Sequence, residues 1–221
     1  MEPLAYLSLQ MRLEGMKAID ECFIRQVEVV PDENVPLMLI AQLANQEPVV
    51  YYDESISPAL QRNLAERLLG VAFPEIQPLL EILKTEHIPF EVGHYKTYVF
   101  PLAPLNDNDV LCLSKHDTRV KSFRFDGFAD PVFALEQGGM LVSACVSTRE
   151  NEACGEGWVY TAPDFRGHGL AEKVVSAWAG SLMSTGKVPF YSHKPENVAS
   201  ANLARKLGLQ NVFEEISITQ I

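Results

Sequence analysis

The segment Tyr160-Thr161-Ala162-Pro163-Asp164-Phe165-Arg166-Gly167-His168-Gly169-Leu170-Ala171 constrains this chain more than any other. A strand pattern, Glu156–Thr161, runs into it. A helix pattern over 169–183 leaves it, with Leu170, Val174, Val175, Trp178 and Leu182 on one face. Two glycines between strand and helix let the backbone turn sharply and come close to a ligand. The helix start leaves main-chain N–H groups without intrahelical partners and presents a partial positive charge. Arg166 adds a fixed cation that matches phosphate oxygens. Such a turn is an anion site. The spacing excludes two familiar phosphate loops. There is no G-x-x-x-x-G-K-[ST] run, and no G-x-G-x-x-G followed by a ribose-binding acid.

Charge narrows the class of partner. The 221 residues carry a formal net charge of −11, which disfavours nucleic acid and anionic membrane surfaces. Residues 1–105 hold 7 basic and 15 acidic side chains, and residues 106–221 hold 11 and 14. The second half therefore tolerates a polyanionic cofactor better. Cys22, Cys112, Cys145 and Cys154 fit no zinc spacing, and His87, His94 and His116 are scattered, so no metal site is expected. The first residues lack a basic n-region, and no apolar run approaches the length of a membrane span. A cytoplasmic protein of one domain, or two modest ones, is expected.

Periodicity gives the outline. Residues 5–21 read as a helix through Leu7, Met11, Leu13, Met16 and Ile19, while 35–43 is apolar enough for either helix or strand. Val49–Tyr52 reads as a strand. Ser57-Pro58 starts a helix that stops near Gly70, and Pro74 opens another. Residues 95–101 read as a strand. Pro101, Pro104 and the polar run 106–109 mark a boundary, giving regions 1–105 and 106–221. Beyond it lie strands at 110–113, 132–135 and 140–147, the last two flanking the hairpin signal Gln137-Gly138-Gly139. The strand 156–161, the helix 169–183, a strand at 188–192, a helix over 197–207 closed by Gly208, and a strand at 212–218 complete the order.

Arg166, Gly169 and Ala171 fill the defined positions of the acetyl-CoA loop of the GNAT superfamily, Arg/Gln-x-x-Gly-x-Gly/Ala, which this segment resembles. Pro189–Ser192, Asn197–Ser200 and Leu203–Leu209 resemble the second signature of that family, in the same order. The resemblance covers residues 110–221. It implies a mixed, strongly twisted α/β sheet in which strands 156–162 and 188–192 splay apart, preceded here by a mainly helical N-terminal region. It implies acetyl-CoA as acyl donor, held by Trp158, Tyr160, Thr161, Phe165, Arg166, Gly167, His168, Gly169, Leu170 and Ala171, with Asn197 and Ser200 opposite. It also implies direct attack of an amine on the thioester in a ternary complex. The acceptor is then a small-molecule or peptide amine.

Such a reaction needs a base, an oxyanion donor and a proton for the leaving thiolate. Glu156 is the candidate base, and the main-chain N–H near Tyr160 the candidate oxyanion donor. The family's usual acid, a Tyr seven residues after the Asn, is replaced by Ala204, so Tyr191, Ser192, His193 or water must serve. That replacement keeps open an alternative, a non-catalytic acyl-CoA-binding or regulatory protein. Residues 1–105 show no chemical motif. An acceptor domain, a lid, or a scaffold for the sheet or for a homodimer are the roles left to them.

Overall fold

One residue ends the first helix well short of its apolar pattern. α1 (Pro3–Leu13) stops because Gly15 adopts φ 76° and its N–H bonds the carbonyl of Arg12 at 3.2 Å. Met16 then opens β1 (Met16–Ala18) instead of a further turn. The protein is described by a computed structural model covering residues 1–28, 34–44, 46–69, 71–101, 109–123 and 129–221. The helix stop expected at Gly70 and most of the polar boundary, Pro104 and 106–108, lie outside the described residues.

The elements follow as β2 (Phe23–Gln26), β3 (Met38–Leu43), β4 (Val49–Asp53), α2 (Pro58–Leu68), α3 (Gln77–Thr85), β5 (Phe90–Val99), β6 (Leu111–Leu113), α4 (Thr118–Ser122), β7 (Val132–Gln137), β8 (Met140–Glu150), β9 (Cys154–Thr161), α5 (Leu170–Ser184), β10 (Val188–His193), α6 (Val198–Lys206) and β11 (Gln210–Gln220). Among the described residues of the first hundred, three helices interleave with five strands. Periodicity had weighted that stretch toward helix, because short, fully buried strands show no alternation. The run 35–43 is such a case. β3 pairs antiparallel with β4 on one side and β11 on the other. With both neighbours present, its Met38–Ala41 run is buried throughout.

The chain divides into two compact units, Met1–Lys96 with Val212–Ile221, and Thr97–Asn211. In the first, the strand order β1-β2-β4-β3-β11 carries α2 and α3 over a core of Met38, Ile40, Leu64, Leu79, Leu83, Ile216 and Ile218. Ser57 caps α2, its side chain accepting the N–H of Leu60 at 3.2 Å. His94 and Lys96 on β5 both reach Glu214 on β11, at 2.7 and 3.2 Å.

In the second unit the order is β10-β9-β8-β7-β6, antiparallel except for β9 with β10. α5 lies across one face. Its Trp178, 1% exposed, is the centre of the larger core, and its indole N–H donates to Ser147 Oγ at 2.9 Å. The other face carries α4 over Val120, Val132, Ala144 and Val146. Gly157 of β9 sits directly under Trp178. A Cβ there would lie 2.8 Å from the ring, so only glycine lets the indole seat against the strand.

Gly157→Val should therefore destabilise the protein by about 1–3 kcal/mol through overpacking. Urea unfolding followed by far-UV circular dichroism reads this. Gly138→Ala, at a hairpin position with nothing within 4 Å of a built Cβ, should cost only the backbone strain that a side chain meets at φ 59°.

Candidate active-site cleft

The cleft begins where two parallel strands stop pairing. β9 and β10 are in register through Val188 with Cys154, Pro189 with Gly155, and Phe190 with Glu156. β9 then continues to Thr161 and β10 to His193, and among the described residues that ladder does not continue with them. A local cause is visible on the far side of β9. The β8–β9 register shifts between Ser147 and Arg149, opposite Gly157 and Glu156, leaving Thr148 as an extra residue. Its hydroxyl donates to the carbonyl of Glu156 at 3.2 Å. Such a bulge bends the strand and increases its twist. It falls at the last paired residue of β9.

The phase of the β8–β9 ladder shows which main-chain groups face the opening. Ala162 N–H bonds Val142 O at 2.9 Å, and bonded pairs alternate along an antiparallel ladder. Tyr160 opposite Ala144, and Trp158 opposite Val146, are therefore turned toward β8. Val159 and Thr161 present their N–H and C=O to the opening. The sequence pointed to the main chain near Tyr160; the groups there that face the opening belong to Val159 and Thr161.

The loop after β9 has the geometry an anion needs. A single 3₁₀ turn, Pro163–Phe165, is followed by Gly167 at φ 81° and Gly169 at φ 76°. Gly169 is the N-cap of α5 and offers no side-chain cap, so the first N–H groups of the helix stay available. The Arg166 guanidinium folds back, Nε donating to Thr161 O at 3.0 Å, with Cζ 5.9 Å from the centroid of Tyr160. Opposite, α6 is capped by Asn197, whose side chain accepts the Ser200 N–H at 3.0 Å.

These elements enclose a cleft of about 410 Å³. It brings together Tyr160–Thr161, the Phe165–Ala171 loop apart from His168, and Asn197 with Ser200. His168 is exposed on the loop, and Trp158 is turned to the other face of β9, where it stacks on Tyr160. Sequence reasoning missed the α6 face, Ala199, Leu203 and Lys206, although their spacing is helical. It also missed Glu172, the acid in the first turn of α5. Lys206 Nζ holds that carboxylate at 2.7 Å, which limits its repulsion of an anion in the loop.

The three residues expected to move protons stand in different surroundings. Tyr191 lines the cleft and is 3% exposed. Burial pushes its phenol above the usual value of 10, outweighing a hydrogen bond with Ser200 that pulls it down. Ala204, where the phenol was missed in the sequence, is buried in the same cluster as Tyr191. Glu156 is 8% exposed and does not line the cleft; Arg149 grips its carboxylate through Nε at 3.1 Å and through Nη2. His193 likewise does not line the cleft; it is 5% exposed and stacks on Tyr98 at 5.3 Å. Its Nδ1 lies 2.9 Å from the carbonyl of Lys194, so the neutral ring donates there and carries a lone pair at Nε2. That Nε2 is buried with no hydrogen-bond partner. No group of three or more potential metal ligands occurs among the described residues.

Parallel strands that part beside a glycine-turn helix start form a cleft suited to an elongated anionic ligand. Residues 118–215 match the family model of the GNAT acetyltransferase. A stretch of 95 residues is 35% identical to the uncharacterized N-acetyltransferase YdfB of Bacillus subtilis (strain 168). It is 43% of this chain and spans only 35% of that relative's length. Two solved structures share the fold. A GNAT-family acetyltransferase from Novosphingobium aromaticivorans gives a TM-score of 0.51 at 15% identity, over 59% of this chain and 66% of that one. Another from Colwellia psychrerythraea gives 0.50 at 16% identity, over 78% and 76%. At such identities the likeness concerns the fold alone.

Arg166→Ala should weaken acetyl-CoA binding at least several-fold while leaving the unfolding midpoint of the ligand-free protein nearly unchanged, because the side chain lies at the surface. Thermal shift with and without the coenzyme tests this. An unfolded variant, or unchanged affinity, contradicts the placement.

Proposed function

We propose that the protein transfers an acetyl group from acetyl-CoA to a primary amine by direct attack in a ternary complex. The observation that supports this most is the opening between β9 and β10, which shares one cleft with the Arg166–Ala171 turn. In this reading the turn and the first N–H groups of α5 hold the pyrophosphate. The pantetheine arm lies along Val159 and Thr161 and bonds the main-chain groups that face the opening as an added strand would, apart from the Thr161 carbonyl, which Arg166 Nε already holds. The Val159 N–H stabilises the oxyanion formed when the amine attacks.

Tyr191 supplies the proton to the leaving thiolate. Its phenol comes from β10, whereas the family's usual Tyr would come from α6 at position 204. Its raised pKa keeps it protonated across neutral pH, as a donor must be. The amine's proton has two candidate acceptors. Protonating Glu156 breaks its pair with Arg149, whereas His193 already carries a lone pair at Nε2. We assign that proton to His193, through water, and leave Glu156 with Arg149 to brace the start of the opening. The acceptor is a small-molecule or peptide amine. The four cysteines are free thiols, which suits a cytoplasmic setting, and no helix among the described residues is long and apolar enough to cross a membrane.

Thiol release over an amine panel tests the activity, and its absence with every amine, despite tight acetyl-CoA binding, would favour a binding protein instead. Tyr191→Phe should lower kcat by about 10²-fold or more with acetyl-CoA affinity retained. His193→Gln should lower kcat by about 10²-fold, and Glu156→Gln should leave it nearly unchanged. The reverse pattern would return the base to Glu156.

A further inference from the structure

A second cavity, of about 340 Å³, lies within the first unit between the ends of β3 and β4 and the α2–α3 connection. That volume falls in the range of small-molecule sites. Its walls are Ile40, Val50, Tyr52, Leu68, Phe73 and Ile76, with Leu69 at the edge. Ile40 and Tyr52 belong to the unit's core, whereas Val50, Leu68, Phe73 and Ile76 are only partly buried against it. The core is thus open on this flank. Leu69 is 82% exposed. Apolar surface left in water costs about 25 cal/mol per Å², so an apolar body that fills the space is favoured.

The charge around the cavity selects the kind of body. Among the described residues, the charged ones on its lining are acids, Glu47 and Glu75, both exposed. Glu75 accepts the N–H of Gln77 at 3.1 Å, and neither acid forms an ion pair with a described residue. The whole unit is strongly acidic, with 7 basic and 17 acidic side chains, so it carries nearly all of the chain's net charge. From the apolar walls, the two rim carboxylates and this field we infer that the first unit binds an organic ammonium ion with an apolar body, aryl or alkyl, seated in the cavity with its charge toward Glu47 and Glu75. The site is separate from the acetyl-CoA cleft and does not depend on the acyl-transfer reading.

Isothermal titration of the full chain without coenzyme tests it, using 2-phenylethylammonium, neutral 2-phenylethanol and anionic 3-phenylpropanoate. The ammonium should bind saturably, the alcohol more weakly and the carboxylate not measurably. Glu47→Gln with Glu75→Gln should weaken the ammonium about five-fold, the effect of two exposed charge pairs. Leu69→Lys sets a cation at the rim on a side chain that the fold does not bury, and should abolish binding with the circular dichroism unchanged. Arg166→Ala should leave this binding intact, which separates it from the acetyl-CoA cleft. Equal affinity for ammonium and carboxylate, or ammonium binding that survives Leu69→Lys, overturns the inference. So does a concentration-dependent dimer that Leu69→Lys dissolves, since a second copy would then be the occupant.

Discussion

The site depends on one broken interaction, the β9–β10 ladder that ends at Glu156 and Phe190. A parallel pair that continued would bond the main chain of Val159 and Thr161 to β10 and leave nothing for a ligand. Here the bulge at Thr148 twists β9 where pairing stops, and Gly157 lets Trp178 clamp the strand from the α5 side. Beyond that point β9 is held by β8 alone. Its outer edge keeps unpaired main-chain groups beside Tyr191, the glycine turn and the start of α6. Unpaired strand edges normally invite association. Where they line a cleft, the same groups favour a ligand that can bond like a strand.

Electrostatics agree with that placement. The second unit has 11 basic and 12 acidic residues and is close to neutral, although the chain as a whole is acidic. Around the cleft, Arg166 is anchored on Thr161 and Tyr160, and Lys206 neutralises Glu172 at the helix start. A polyanion therefore meets fixed donors and a near-neutral wall. The acidic field belongs to the first unit, where it suits a cation.

Much of this was legible in the sequence, and the failures have physical reasons. The glycine turn, α5 and α6 were readable because φ-positive positions and helical periodicity are local. β3 was ambiguous because a strand buried on both sides loses its alternation. α1 was drawn too long because Met16 and Ile19 keep a helical spacing past the Gly15 stop. The cleft-lining main chain was placed near Tyr160, but ladder phase decides between Tyr160 and Val159, and phase depends on a partner twenty residues away. Glu156 stood in the sequence as the candidate base. Its pairing with Arg149 arises only across the β8–β9 bulge. Tyr191 could not be singled out, because that Ala204 and Tyr191 share one cluster is a fact of tertiary packing.

The central claim, that the parted strands and the Arg166–Ala171 turn hold acetyl-CoA, is tested most directly by amide chemical-shift mapping. ¹⁵N-labelled protein is titrated with acetyl-CoA and followed by two-dimensional NMR. The account predicts the largest shifts at the amides of Val159, Thr161, Gly167, Gly169 and Leu170, with smaller ones at Asn197–Ser200, and little change in β3 and β4. Saturable binding whose shifts fall elsewhere, or spare Val159 and Gly167–Leu170, would contradict it.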